Sequence, residues 1–294
     1  MAYRLLERSW STSITSTSVT HEPDLVRCYG GYMTMLSFRR TGDVSDCPLV
    51  LLHALPLDSS MWDQVREILA PIDVITVDAP GFGQSPAGEE LADSEPSTTI
   101  YVQALKETLD RVGVSRIMLG GLSMGGSVAA DFAATYPDMV AGLALMDTGI
   151  GADTPERQEF RRNMAQLAEE GKAFEILQGW KESMTGSEVT DQVQESLEAR
   201  FKAAPGNALA WIQRALAARS DRSDVVELID GPVFFIRGTD DPTASLEYFM
   251  QLSLRTKKPR IIEIEGAGHF TADEKPAELA QALTEFVSRV GQPS

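Results

Sequence analysis

Histidine is scarce in this chain: three in 294 residues, at His21, His53 and His269. Cysteine is scarcer, with only Cys28 and Cys47. Two cysteines without metal-site spacing argue against a disulfide framework and a cysteine-bound metal, so reduced thiols are expected. Positive charge is also short, 26 basic residues against 43 acidic ones for a net charge of −17. That balance argues against nucleic acid or an anionic membrane as partner. No apolar stretch is long enough to span a bilayer. The start, Arg4–Thr20, lacks the apolar segment of a secretory signal, so residues 1–24 are expected to be a polar extension and the protein cytoplasmic.

Apolar content is not lacking. Hydrophobic residues make up 43% of the chain, enough for a full core. Pro48–His53 and Asp73–Asp78 are nearly continuous apolar runs, the mark of central parallel strands. Arg116–Gly120, Val140–Met146, Pro232–Arg237 and Pro259–Glu265 read as further strands. Leu25–Phe38 predicts two short strands turning at Gly30-Gly31. Ser59–Leu69 predicts a helix with Trp62, Val65, Ile68 and Leu69 inward, and Thr98–Val112 another with Tyr101, Leu105 and Leu109 inward. The stretch 79–97 reads as loop. Strands alternating with helices imply an α/β fold, a parallel sheet with helices on both faces. The alternation stops after Asp147. From Thr154 to Ser220 only helical stripes occur, the first of them Phe160, Met164, Leu167 and Ala168. A helical cap inserted at 149–230 is expected, with 25–148 and 231–294 forming the core.

The motif Gly121-Leu122-Ser123-Met124-Gly125 stands between an apolar strand and a small-residue helix. Strand, sharp turn and helix are what a G-x-S-x-G nucleophile elbow requires. The turn strains the serine backbone, and only small neighbours tolerate it. A serine hydroxyl needs a base. His269, in the glycine-flanked loop after the last strand, is the candidate, because open sheets place their ligands at such strand ends. His53 is expected to brace its own loop. The base needs a carboxylate to fix its tautomer. Asp240 and Asp241 compete for that role, with Asp241 preferred and the other free to cap a helix starting near Thr243. Asp147 is a third possibility. The two backbone N–H donors of an oxyanion hole would come from Leu55 and Met124.

Five segments together resemble the α/β-hydrolase superfamily, in its esterase, lactonase and haloperoxidase-like branch. They are His53–Trp62, Asp78–Ser85, the elbow, Gly238–Pro242 and Gly266–His269, and they run in the order that family uses. The resemblance covers about residues 25–290. It implies an eight-stranded, mostly parallel sheet, and it favours Asp241, three residues after Gly238. One departure is Ala54, where the family usually has glycine. The resemblance implies a serine hydrolase that cleaves a small ester, lactone or thioester through an acyl-enzyme, with a small-molecule acyl substrate and no metal or cofactor. A cofactor-free perhydrolase, a carbon–carbon bond hydrolase and a non-catalytic ligand receptor on the same fold are the alternatives. Trp180, Met184, Trp211 and Phe270 are candidate pocket residues. Substrate identity and oligomeric state stay open.

Overall fold

The four strands richest in aliphatic residues become the middle of the sheet. Leu49–Leu52 (β3), Val74–Val77 (β4), Ile117–Leu122 (β5) and Val140–Met146 (β6) are buried at every position. Burial of successive residues means that both faces are covered, as expected of parallel strands between helix layers. The computed structural model describes Val19–Thr20 and residues 35–291. Val19–Thr20 (β1), Phe38–Thr41 (β2), Val233–Gly238 (β7) and Pro259–Ile264 (β8) complete the sheet. The turn expected at Gly30-Gly31, with His21 and Cys28, lies outside the described residues. Two residues assigned to the polar extension, Val19 and Thr20, pair with β2 instead.

The eight strands lie in the order β1-β2-β4-β3-β5-β6-β7-β8. β1–β2 and β2–β4 are antiparallel, and every other pairing is parallel. β3 therefore sits between β4, which follows it, and β5, which the chain reaches by crossing back. At such a switch point two loops leave the same sheet edge in opposite directions and open a crevice. Leu52 pairs with Gly121, so the segment after β3 and the elbow after β5 emerge side by side.

Helices Asp63–Leu69 and Pro276–Val290 pack together, as do Thr98–Arg111 and Met124–Thr135. The first is preceded by a 3₁₀ turn at Ser59–Trp62. Ile68, expected inward, is 51% exposed because Val65 and Leu69 already fill the buried face. The expected loop at 79–97 contains one helical turn, Gly88–Leu91.

Between β6 and β7 the chain forms helices Pro155–Glu169, Ala173–Met184, Asp191–Ala203 and Gly206–Ala217, then the turn Val225–Leu228. Pro155–Glu169 packs on Gly206–Ala217, and Ala173–Met184 on Asp191–Ala203. The insertion touches the core through backbone. The His269 N–H donates to the Met184 carbonyl at 2.7 Å. A Cβ on Gly186 would lie 2.2 Å from the Gly266 carbonyl oxygen, so only glycine permits this approach.

Steric demand separates the glycines sharply. Gly125→Ala would put a Cβ 2.2 Å from the Leu52 carbonyl oxygen, whereas a Cβ on Gly179 meets nothing within 4 Å. Urea unfolding should show Gly125→Ala destabilised by about 1–3 kcal/mol or more, the usual cost of overpacking. Gly179→Ala, in an exposed helix, should be neutral or stabilising by up to about 1 kcal/mol.

Candidate active site

Ser123 caps the helix Met124–Thr135 with φ 55° and ψ −114°, a backbone state most side chains avoid. Its neighbours explain how it is held. A Cβ on Gly121 would lie 2.1 Å from the Gly125 carbonyl oxygen, and one on Gly125 would strike the end of β3. The Ser123 N–H donates to the Met146 carbonyl at 2.9 Å, and the Thr148 hydroxyl donates to the Ser123 carbonyl at 2.6 Å. Strain of this kind costs about 1–3 kcal/mol and persists only where the surroundings over-determine it.

The strained turn presents Oγ to His269. His269 Nε2 lies 2.7 Å from Ser123 Oγ, and Nδ1 lies 3.1 Å from Asp241 Oδ1. Thr243 completes the group. Its hydroxyl donates to Asp241 and sits 3.0 Å from His269 Nδ1, while its N–H donates to Asp241 Oδ1 at 2.8 Å. Burial works against ionisation of Asp241, but the His269 ring and the Thr243 donors outweigh it and hold the carboxyl below the usual range. An ionised carboxylate only accepts, so Nδ1 carries the ring hydrogen and Nε2 offers its lone pair to Ser123.

The competing acids are placed elsewhere. Asp240 is exposed and accepts from the Ser187 N–H at 2.7 Å and from its hydroxyl at 2.6 Å, tying the insertion to the core. The helix expected to start near Thr243 begins at Leu246, capped by Ser245. Asp147 is buried and takes the Gly238 N–H at 2.8 Å and the Thr271 hydroxyl at 2.7 Å. Burial, then the charge of Asp241, raises its carboxyl well above the usual range despite those donors. His53 also stands apart. Its Nε2 accepts from the Ala79 N–H at 2.9 Å, so its Nδ1 donates to the Ala54 carbonyl, and burial lowers its pKa. It braces the loop after β3.

Above Ser123 lies a cavity of about 780 Å³ whose walls include Leu55, Met124, Trp180, Met184, Tyr248 and His269. Met124 opens its helix, so its N–H has no carbonyl partner within that helix. No helix among the described residues is long and apolar enough to cross a membrane, and no cluster there could hold a metal ion.

A sequence profile described as the alpha/beta hydrolase family matches residues 49–282. The chain belongs to that family. Among relatives, the (E)-2-((N-methylformamido)methylene)succinate hydrolase of Acinetobacter baylyi is 27% identical, covering 81% of this chain and 90% of that protein. The 2-hydroxy-6-oxo-6-phenylhexa-2,4-dienoate hydrolase of Comamonas testosteroni is 26% identical, covering 81% and 87%. A thermophilic esterase from Thermogutta terrifontis, solved with malate bound, is 28% identical with a TM-score of 0.81, covering 94% of this chain and 100% of that one.

Within this alpha/beta hydrolase, two expected pocket residues fall outside the cavity. Trp211 is 1% exposed and lies against Gly88, where a Cβ would meet its ring at 2.1 Å. Phe270 is fully buried, with its ring 5.4 Å from that of Phe201, and is not part of the cavity wall. Both are packing residues: the apolar side chain was legible, the surface it meets was not. Two residues that matter to the geometry escaped the sequence reading. Thr243 had a usable signal, since Asp-Pro-Thr is a turn in which an aspartate accepts from two residues on. Glu274 had none. Its carboxylate gathers the N–H groups of Gly186, Gly268 and Phe270 at 2.7 to 3.0 Å and fixes the His269 turn.

These placements predict different responses from paired residues. Asp241→Asn should lower kcat on p-nitrophenyl acetate by about 10⁴-fold if the geometry serves a triad, while Asp240→Asn should mainly lower the melting temperature. Trp211→Ala should cost about 3–5 kcal/mol in a melt and leave the relative rates on esters of different acyl length unchanged. Trp180→Ala should do the reverse.

Proposed function

We propose that this protein is a serine hydrolase that cleaves a small ester, lactone or thioester through an acyl-enzyme. The observation that carries the reading is one unbroken chain of contacts, Ser123 Oγ to His269 Nε2 at 2.7 Å and His269 Nδ1 to Asp241 at 3.1 Å, ending in a cavity. Ser123 Oγ attacks the carbonyl carbon while its proton passes to His269 Nε2. The carbonyl electrons move onto oxygen, which the Leu55 and Met124 N–H groups receive. On collapse, the carbon–leaving-group bond breaks and the leaving oxygen or sulfur takes the proton from His269. Water then repeats the sequence, giving up a proton to His269, and Ser123 leaves with that proton restored. Asp241 stays ionised and stabilises the imidazolium in both halves.

The 149–230 insertion serves as the cap over this reaction. Trp180 and Met184 supply its apolar wall, and Trp180 packs against the core only partly buried. Covering the site displaces water from the acyl group and strengthens the polar contacts beneath.

A second reading is favoured by one relative. The dienoate named for the Comamonas testosteroni enzyme contains no ester, so its hydrolysis breaks a carbon–carbon bond. The same serine, base and oxyanion donors suit attack on a ketone carbonyl, with His269 delivering its proton to the carbon leaving group.

In the serine reading, Ser123→Ala should lower kcat on p-nitrophenyl esters by at least ~10³-fold, because nucleophile and base act as a unit. A fluorophosphonate should attach to Ser123, read by peptide mass spectrometry. Turnover at the parent rate in Ser123→Ala would rule the reading out. Steady release beyond one equivalent of nitrophenol separates an enzyme from a receptor that stops after a single burst.

A further inference from the structure

The cavity over Ser123 contains a second group of charges that acyl transfer does not use. Asp153 is buried among three arginines. Arg161 Nε donates to its Oδ2, Arg219 Nη2 donates to its Oδ1 at 2.8 Å, and Arg157 Nε lies 3.4 Å from Oδ1. All four residues line the cavity together with Ser123. One carboxylate against three guanidiniums leaves this cluster with excess positive charge. Of the other acidic groups at the cavity wall, Glu156 is solvent-exposed and, even counted in full, leaves three guanidiniums against two carboxylates, and both oxygens of Asp147 are already engaged.

The cluster is also rich in donors and short of acceptors. A guanidinium has five N–H groups. Those of Arg219 reach the Gly151 carbonyl at 3.0 Å, the Ser127 hydroxyl at 2.8 Å and Asp153, which leaves two without an acceptor among the described residues. Arg161 reaches Asp153 and the Gln213 Oε1 at 3.0 Å. The Gln213 Nε2 is buried with no partner among the described residues. Burial, reinforced by Arg161, pushes Arg219 down to about 10, as expected where cations crowd without enough negative charge. The chain as a whole carries −17, so its outer field repels anions and any affinity for one must arise locally.

The position is informative. Ser127, the partner of Arg219, follows Ser123 by one turn of the same helix, roughly 6 Å along its axis. We propose that this arginine cluster recognises a carboxylate on the substrate, so that the site acts on acidic esters, lactones or thioesters. The proposal rests on the serine-hydrolase reading for its chemistry, though not for the binding itself. Arg161 is buried, Arg219 is partly covered, and both also hold the insertion together. Arg157 is 56% exposed at its side chain and weakly fastened, which makes it the residue to remove first.

The test compares anionic and neutral substrates of matched size. On the acyl side the pair is mono-p-nitrophenyl adipate and p-nitrophenyl hexanoate. On the leaving-group side it is m-carboxyphenyl hexanoate and the corresponding methyl benzoate ester. In at least one pair kcat/KM should favour the anion by roughly tenfold or more, the order expected of one charge-assisted hydrogen bond. Arg157→Gln should bring that ratio down severalfold, and Arg219→Gln should bring it toward one, with melts confirming that both variants fold. Adipate binding to the Ser123→Ala protein, measured by calorimetry, reads the site without turnover and should weaken in Arg157→Gln. Hydrolysis of neutral esters with no preference in either pair, and no adipate binding, overturns the carboxylate site and leaves the serine reading standing. A ratio unmoved by both substitutions also overturns it and assigns the arginines to holding the insertion together. Adipate binding that depends on Arg157, with no ester turned over, sustains the site and removes the serine reading. Binding of inorganic phosphate in preference to adipate overturns the carboxylate assignment.

Discussion

The site depends on how closely Gly125 comes to the end of β3. With no side chain in the way, the helix after the elbow seats its first turn against the carbonyls of Leu52 and His53. That seating forces Ser123 to positive φ and brings the segment carrying Leu55 beside Met124. Leu55 and Met124, from distant parts of the sequence, then line one cavity with Ser123. The strain in one residue is offset by bonds to Met146 and Thr148, which clamp the serine from both sides. A bulkier residue at 125 would disturb both segments at once.

A division of charge follows from the same edge of the sheet. Asp147 follows β6 and Asp241 follows β7, and both carboxyls are buried close together. Two such groups do not ionise equally well, since each opposes the other's charge. Asp241 faces a ring that can become cationic and two donors from Thr243, and it takes the charge. Asp147 faces a backbone N–H and a neutral hydroxyl, and burial favours its proton. Neighbouring carboxyls in unequal surroundings are how one site assigns separate duties to similar groups.

What could be read from the sequence was what local sterics dictates. The elbow is legible because Gly121 answers a clash with Gly125 four residues on, although the clash that Gly125 itself avoids is with Leu52, far off in sequence. His269 was legible through scarcity and position. The strands came through because continuous aliphatic runs have few other uses. Between Asp240 and Asp241 the sequence offered a preference for Asp241 and no physical contact to explain it. What separates them is Ser187, 53 residues from Asp240 and on the insertion. Trp211 and Phe270 failed for a related reason. Hydrophobicity predicts that a side chain will be covered but not by what, and Trp211 is covered by Gly88. The arginines around Asp153 were invisible as a group, because Arg219 stands 66 residues from the carboxylate it meets.

The bond between the His269 N–H and the Met184 carbonyl limits how this molecule can breathe. The residues around Met184 share Glu274 with the His269 turn, so insertion and base are fastened to one carboxylate. Lifting that edge of the insertion would drag the imidazole off the serine. Phe160, far from this fastening in sequence, is 46% exposed while still facing the cavity. In mechanical terms the insertion is an arch pinned at one foot to the turn that carries the base.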